Sequence, residues 1–319
     1  MNYRKIHVFG GSGFIGTRLI SLLNPYFDVQ NMDLRNSKTF NKITVINDIC
    51  SFDANQVDLN KSDCVILLAA EHRDDVFPFS KYYKTNVEGT KNVLIQMDKV
   101  GCKNLIFTST VAVYGLNNLN PNEDFEPKPF NHYGKSKLKA ENIIKNWFKI
   151  DPKNKYISII RPTVIFGEEN RGNVYNLIKQ IVSKNFLMIG NGNNIKSMAY
   201  VGNVVEFILD RLKKQKIGCE IFNYVDKPDL TMNQILMEVE ENINHKIPKI
   251  KIPYFLGLIV GYLFDLLSFI FKKQFIISSV RVKKFCANTG FDGSKINKIF
   301  KPPFSLKEGL KRTIKHDFN

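Results

Sequence analysis

The chain lacks the features that would place it in several common classes. Its five cysteines, Cys50, Cys64, Cys102, Cys219 and Cys286, are odd in number, scattered and without a C-x-x-C pair. That argues against a disulfide framework and for reduced, mostly buried thiols. The histidines His7, His72, His132, His245 and His316 stand apart from one another, so no metal site is expected. The N-terminal MNYRKIHVFGG holds no secretory apolar run and leads straight into a strand and a glycine loop. These absences together point to a reducing, cytoplasmic setting. Low-complexity stretches and fixed-period repeats are lacking too. Acidic residues are in deficit, 30 against 46 Lys and Arg, for a formal net charge of +16. A basic chain seeks phosphates on nucleic acid, membrane or substrate, although dispersed Lys and Asn account for much of the excess as solvated surface.

What the chain does have is 319 residues, 44% of them hydrophobic, enough for one large domain or two smaller ones. Apolar runs at 4–10, 28–34, ITVIN, 63–70, 103–110 and 155–162 read as strands. Helical periodicity falls at 14–23, 79–99 (closed by Gly101) and 133–149. Strands this apolar, alternating with helices, predict an α/β fold with a doubly wound parallel sheet of Rossmann type. After Pro162 the alternation breaks into helical patches at 173–184, 201–214 and 231–243, with short strands such as EIFNYV. The expected organisation is a dinucleotide-binding domain over 1–165 and a smaller, mixed substrate lobe over 166–319.

Three motifs carry chemistry. Gly10-Gly11-Ser12-Gly13-Phe14-Ile15-Gly16 lies between a strand and a helix, the context in which a glycine fingerprint signals a dinucleotide. Gly10 permits the tight turn, Gly13 lets a diphosphate approach, and Gly16 lets the helix pack on the sheet. Asp33, ending the second strand, is placed to receive ribose hydroxyls and to repel a 2′-phosphate, which favours NAD over NADP; Arg35 works against that preference. Asp48 and Ile49 are candidates for the adenine. Tyr133-x-x-x-Lys137 puts a phenol and an ammonium on one helix face, where the cation favours phenolate and the tyrosine can act as a base. Thr108-Ser109-Thr110, ending the fifth strand, offers hydroxyls to the reacting sugar or ketone.

Together these motifs resemble the extended short-chain dehydrogenase/reductase family of nucleotide-sugar epimerases, dehydratases and reductases. The likeness continues through LLAAEHRDD, YYKTNVEGTKNVL, RPTVIFG and MAYVGNVVEF. It implies Thr110 as the active-site hydroxyl, Tyr133 as the base and Lys137 as its lysine, with Ser109 beside the substrate. It also implies cofactor contacts at Gly10, Gly13, Phe14, Ile15, Gly16, Asp33, Asp48, Ile49, Ala69, Asn86, Tyr133, Lys137, Pro162 and Thr163. A closer likeness, in AEHRDDV, FNHYGKSK, KSMAYVGN, NYVDKPDLTMNQ and SSVRVKKFC, is to the bacterial epimerases that act on N-acetylglucosaminyl-diphospho-undecaprenol for surface polysaccharide such as O-antigen. This implies reversible oxidation at C4 with a tightly held NAD that is regenerated each cycle.

Other readings are weaker. Dehydratases of this family carry Asp-Glu directly after the active-site Thr, where this chain has Val111 and Ala112. A UDP-sugar 4-epimerase is the main competitor, since its chemistry is the same. A nucleotide-sensing or nucleic-acid-binding protein on this fold would not need Tyr133 and Lys137, so no nucleic-acid partner is expected. The segment 252–271, IPYFLGLIVGYLFDLLSFIF, is long enough to span a bilayer, yet Asp265 inside it would cost roughly 2.5–3.5 kcal/mol. An interfacial apolar hairpin with a basic rim (Lys249, Lys251, Lys272, Lys273) is one expectation, and a buried helix pair is the other. The first would put the protein peripherally on the inner face of the cell membrane, with Arg281 a candidate grip on a diphosphate. A homodimer is also compatible with the family.

Overall fold

The computed structural model describes residues 3–318 except 53–55, 74, 75, 117, 119, 185, 215, 244, 245, 248, 249, 273, 274, 276 and 277. Asp74 and Asp75 of AEHRDDV, and Lys249 and Lys273 of the basic rim, therefore lie outside the described residues.

The apolar runs form β1 (Ile6–Phe9), β2 (Val29–Asp33), β3 (Thr44–Ile46), β4 (Cys64–Leu67), β5 (Asn104–Thr108) and β6 (Tyr156–Pro162). They alternate with α1 (Phe14–Leu23), α2 (Ser80–Tyr83), α3 (Thr90–Val100) and α4 (His132–Ile150), and a π-helical turn at Lys84–Gly89 joins α2 to α3. Gly101 closes α3 in the left-handed region at φ 73°, a conformation that glycine adopts without penalty. Beyond residue 163 come β7 (Val164–Phe166), α5 (Asn173–Val182), β8 (Met188–Ile189), β9 (Ile195–Lys196), β10 (Met198–Tyr200), α6 (Val201–Lys213) and β11 (Gly218–Tyr224). They are followed by β12 (Leu230–Thr231), α7 (Met232–Asn242), β13 (Lys251–Ile252), α8 (Tyr254–Phe271), α9 (Ser279–Cys286), α10 (Ser294–Asn297) and α11 (Leu306–Asp317).

The main sheet has seven strands in the order β11-β6-β5-β4-β1-β2-β3, all parallel. Both faces are covered, which is why its strands are apolar throughout. On one face Leu19, Ile20 and Leu23 of α1 join Val204, Phe207 and Ile208 of α6 over Ile6, Val8, Ile66 and Ile160. On the other, Val93, Leu94 and Met97 of α3 join Ala140, Ile144 and Trp147 of α4 over Val65, Leu67, Leu105 and Phe107. The sequence order conceals one feature. EIFNYV, expected among the mixed strands of the second lobe, supplies β11, which runs beside β6 from Gly218 opposite Tyr156 to Tyr224 opposite Pro162. It joins the sheet because Phe222 and Tyr224 pack on Phe207 of α6, with ring centroids 5.5 and 5.3 Å apart. A separate core around Phe166, Ile178, Met198, Ile235, Val239, Leu310 and Ile314 builds the remaining lobe.

The 252–271 segment departs from both expectations. It forms no hairpin, because Tyr254–Phe271 is one unbroken helix started by Pro253, and it is not a buried helix pair, because only Gly257 and Gly261 are buried. The glycines make a closely packed face instead of a turn. A Cβ on Gly257 would lie 2.5 Å from Ile189, and one on Gly261 would lie 2.8 Å from the Ser279 backbone. One further turn along, Asp265 accepts the Ser279 N–H at 3.2 Å. The acid that disfavoured a span thus faces the start of α9, a position that suits a carboxylate. Eleven other side chains, from Tyr254 and Phe255 to Ile270 and Phe271, are exposed.

Candidate active site

The glycine loop is shaped by contacts that exclude side chains. Gly10 has φ 86°, and a Cβ there would lie 2.6 Å from the Ala69 nitrogen, whose N–H bonds to Phe9. A Cβ on Gly16 would fall 2.4 Å from the Gly11 Cα, so this glycine is what lets α1 begin against the loop. Gly13 differs, because the one contact a Cβ would make there is with the Gly10 carbonyl at 3.2 Å. It is the N-cap of α1 and offers no side-chain cap, and no acidic residue occupies the first turn of Phe14 and Ile15. The first N–H groups of α1 and its positive dipole end are thus free of side-chain caps, as an anion site requires. Asp33, half-buried at the end of β2, accepts the Ser12 N–H at 3.0 Å and the Arg35 N–H at 3.1 Å, holding the loop to the strand. Asp48 accepts the Cys50 N–H at 2.8 Å, and Ile49 packs where a Gly89 side chain would stand. Pro162 and Thr163 are buried where β6 ends, and the Thr163 hydroxyl has no partner among the described residues. Orphaned buried hydroxyls are rare, so this one fits a bound group. The loop, Asp33 and Thr163 together fit a dinucleotide.

The expected reacting groups come from two elements. Thr110 is extended and accepts the Ala112 N–H at 3.1 Å, capping the short 3₁₀ turn Val111–Tyr114. As an acceptor in that bond it keeps its own proton to donate. Asn131 caps α4 through the Gly134 N–H at 2.8 Å. A Cβ on Gly134 would lie 2.6 Å from the Ala112 carbonyl, so glycine after Tyr133 lets α4 abut the Thr110 turn. Tyr133 is half-buried, with its ring 6.5 Å from that of Tyr82. Lys137, one turn further, is 1% exposed and sits 4.1 Å over the Phe107 ring of β5. Burial pulls its ammonium down to about 7, while Glu141 draws it upward.

Sequence reasoning missed the polar layer underneath. Glu141, fully buried, accepts Ser109 Oγ at 2.5 Å and Arg161 Nε at 2.9 Å on one oxygen, and Arg161 Nη2 at 2.6 Å on the other. Arg161 Nη1 donates to the Tyr114 hydroxyl at 2.6 Å, which donates to Asn223 of β11 at 2.7 Å. Ser109 therefore departs from its expected place at the substrate, because its hydroxyl is committed to Glu141. Asn86 is likewise committed to protein. Its amide accepts the Glu71 N–H at 2.8 Å and donates to the Glu71 carbonyl and Ser136 Oγ, both at 2.9 Å. It ties the loop after β4 to α4 and does not itself reach outward. The available signal was Arg161, a lone charge in the apolar run YISIIRP, which demands a buried partner.

Arg281 lies exposed on α9, away from the glycine loop in sequence but on a helix that packs against α8. Lys284 of α9 stands 5.5 Å over the Phe130 ring, three residues before Tyr133, and Lys283 donates to the Tyr262 hydroxyl of α8 at 2.8 Å.

The family model described as the 3-beta hydroxysteroid dehydrogenase/isomerase family matches residues 7–250. The chain is 54% identical over 315 residues, 98% of its own length and 95% of the relative's, to the N-acetyl-alpha-D-glucosaminyl-diphospho-ditrans,octacis-undecaprenol 4-epimerase of Escherichia coli O157:H7. To the decarboxylating sterol-4-alpha-carboxylate 3-dehydrogenase of Mus musculus it is 27% identical, covering 98% of this chain and 90% of that one. Among solved structures, the UDP-glucuronic acid 4-epimerase from Bacillus cereus in complex with NAD superposes with a TM-score of 0.76 over 98% of both chains at 21% identity. At that identity the likeness is one of fold.

Proposed function

The chain belongs to the extended short-chain dehydrogenase/reductase family, through the 3-beta hydroxysteroid dehydrogenase/isomerase model that spans most of it, and we propose that it is a sugar 4-epimerase acting on undecaprenyl diphosphate. The reaction interconverts N-acetylglucosamine and N-acetylgalactosamine on the lipid carrier for O-antigen assembly. The observation that carries this reading is the 54% identity, over nearly the whole of both chains, to an enzyme named for that substrate. The placement of the Thr110 turn against the first turn of α4 supports it independently.

In this reading the first turn of α1 and Gly13 hold the cofactor's diphosphate, Asp33 the adenosine ribose, and Thr163 the nicotinamide end. NAD, when bound, supplies the reversible acceptor for the hydrogen on C4. Tyr133 Oη takes the proton of the C4 hydroxyl and later returns one to the 4-keto sugar from the same position. Thr110 donates a hydrogen bond from its hydroxyl to the same sugar oxygen. Lys137, brought toward neutrality by burial, regains its proton as Tyr133 gains negative charge, since each charge stabilises the other. The sugar turns over in the pocket between the two proton transfers, which inverts C4.

The lipid carrier agrees with α8. Covering its eleven half-exposed apolar side chains at ~1 kcal/mol each would release on the order of 10 kcal/mol, ample for peripheral binding. The protein then sits on the cytoplasmic face of the membrane with α8 in the interface and Lys272 at headgroup level, and Arg281 meets the diphosphate. The test incubates NAD-loaded protein with polyprenyl-diphospho-N-acetylglucosamine and with UDP-N-acetylglucosamine in parallel. Conversion of the lipid-linked sugar is expected. Rapid conversion of the UDP sugar alone would overturn the lipid assignment and leave a nucleotide-sugar epimerase.

A further inference from the structure

The proposed chemistry needs Thr110, Tyr133 and Lys137 at fixed separations, yet they come from the end of β5 and the first turns of α4. Tyr133, Lys137 and Glu141 recur every four residues, so all three lie on one face of α4. Glu141, last of the three, carries the hydrogen bonds that tie that face to the sheet. Its carboxylate holds Ser109, the residue before Thr110, and takes both arms of the Arg161 fork from β6. Arg161 carries the link on to Tyr114, at the far end of the turn that Thr110 caps, and so to β11. Ser109, Tyr114, Glu141, Arg161 and Asn223 are all buried.

We propose that Glu141 is a positioning residue for the epimerase reaction: by gripping Ser109 and Arg161 together, it sets the register of the Tyr133–Lys137 face of α4 against the Thr110 segment. The inference rests on the epimerase reading and on the roles of those three residues in it. A buried ion pair adds little stability over an apolar set of equal volume. What it does supply is geometry, because the guanidinium fork fixes the plane and depth of the carboxylate. A misplacement of about 1 Å can cost on the order of a hundredfold in rate. Glu141→Asp draws the carboxylate back by about 1.5 Å, one C–C bond, and so must pull α4 or release the fork.

The experiment compares NAD-loaded wild type with Ser109→Ala and Glu141→Asp. Both variants should keep their NAD and substrate KM while kcat falls about tenfold to a hundredfold, and the isotope effect with C4-deuterated sugar should rise as C–H cleavage becomes limiting. A second measurement needs no turnover: the tyrosinate absorbance of Tyr133, taken as the difference from Tyr133→Phe, is titrated against pH. The titratable groups that flank Tyr133 are Lys137, one turn along α4, its chain neighbour His132, and Tyr82 of α2, whose ring lies 6.5 Å away. Loosened register should move the Tyr133 midpoint upward by about one pH unit as Lys137 withdraws. Should Glu141→Asp fail to fold, Ser109→Ala carries the test, since it removes a single hydroxyl. A Ser109→Ala enzyme with wild-type kcat, isotope effect and Tyr133 titration would overturn the inference, as would a kcat loss explained wholly by a smaller folded fraction. A wild type inactive on both the lipid-linked and the UDP-linked sugar overturns the epimerase reading instead, and the titration still decides the positioning role.

Discussion

Lys137 is well placed for chemistry and badly placed for stability, and the conflict can be measured. Its side chain is 1% exposed, and the opposite charge that acts on it, Glu141, is already paired with Arg161. Burial brings its ammonium from 10.5 to about 7. Because the folded value lies below the unfolded one, the unfolded chain holds the extra proton between the two values. Stability of the cofactor-free protein therefore rises with pH across that window, and below it the full penalty applies. At neutral pH the penalty is about 4 kcal/mol, of which the contact with Phe107 returns about 1 kcal/mol. Lys137→Met keeps the volume and removes the charge. It should stabilise the cofactor-free protein by about 2–3 kcal/mol at neutral pH, on the order of 5 °C in Tm. The gain should vanish once the pH passes the unfolded lysine value. Thermal melts of NAD-stripped wild type and variant across that range measure it directly, and epimerase turnover should be lost in the same variant. A variant that melts below wild type at neutral pH, or a gap that ignores pH, would refute the reasoning.

Tyr133→Phe should lower kcat by about a thousandfold while bound NAD, measured after denaturation, stays the same; activity within about tenfold of wild type would remove Tyr133 as the base. Asp33→Ala should weaken NAD by ~1–2 kcal/mol and narrow its advantage over NADP in titrations, and unchanged discrimination would pass the ribose to another residue such as Arg35. Gly16→Ala sets a methyl 2.4 Å from the Gly11 Cα and should cost about 1–3 kcal/mol in stability along with NAD affinity, read by melting with and without NAD. Ile259→Glu with Leu263→Glu, on the exposed face of α8, should leave Tm and NAD content near wild type but strongly reduce sedimentation with anionic vesicles; undiminished sedimentation would refute membrane docking through this face.

The parts of the fold legible in the sequence were those governed by local spacing. Glycines at 10, 13 and 16, an acid at the end of the second strand and Tyr133/Lys137 one helical turn apart each announce a geometry from neighbouring residues alone. Long-range pairings were hidden. β11 lies next to β6, but an inserted stretch of lobe separates them in the chain, so no local period marks EIFNYV as part of the main sheet. Ser109 and Thr110 are chemically alike and adjacent, and only Glu141, 32 positions away, turns one of them into structure. The π-helical turn that presents Asn86 to Glu71 and Ser136 has no sequence signature in the KTNVEG run. Gly134 is a further case, for its purpose appears only when the Ala112 carbonyl is found where its side chain would be.

Segment 252–271 marks the limit of hydropathy itself. Mean hydropathy counts apolar residues without regard to direction, so a core helix, a span and an interfacial helix give the same reading. Direction is what separates them. Gly257, Gly261 and Asp265 recur every four residues and point one way, against Ile189 and the first residue of α9. A helix crossing the bilayer would have to carry that face with it. α9 with Arg281, Lys283 and Lys284, and the β8–β13 pair that anchors the start of α8, would then enter hydrocarbon at a cost of several kcal/mol per charge. A helix lying along the surface meets no such cost, since its outer face enters the interface while its glycine face stays on the protein. The same contacts hold α9, and Lys284 over Phe130, at a fixed position beside the start of α4. In the proposed reading, α8 in the interface would bring a diphosphate at headgroup level to the side of the protein that carries α9 and Phe130, with the lipid tail left in the membrane.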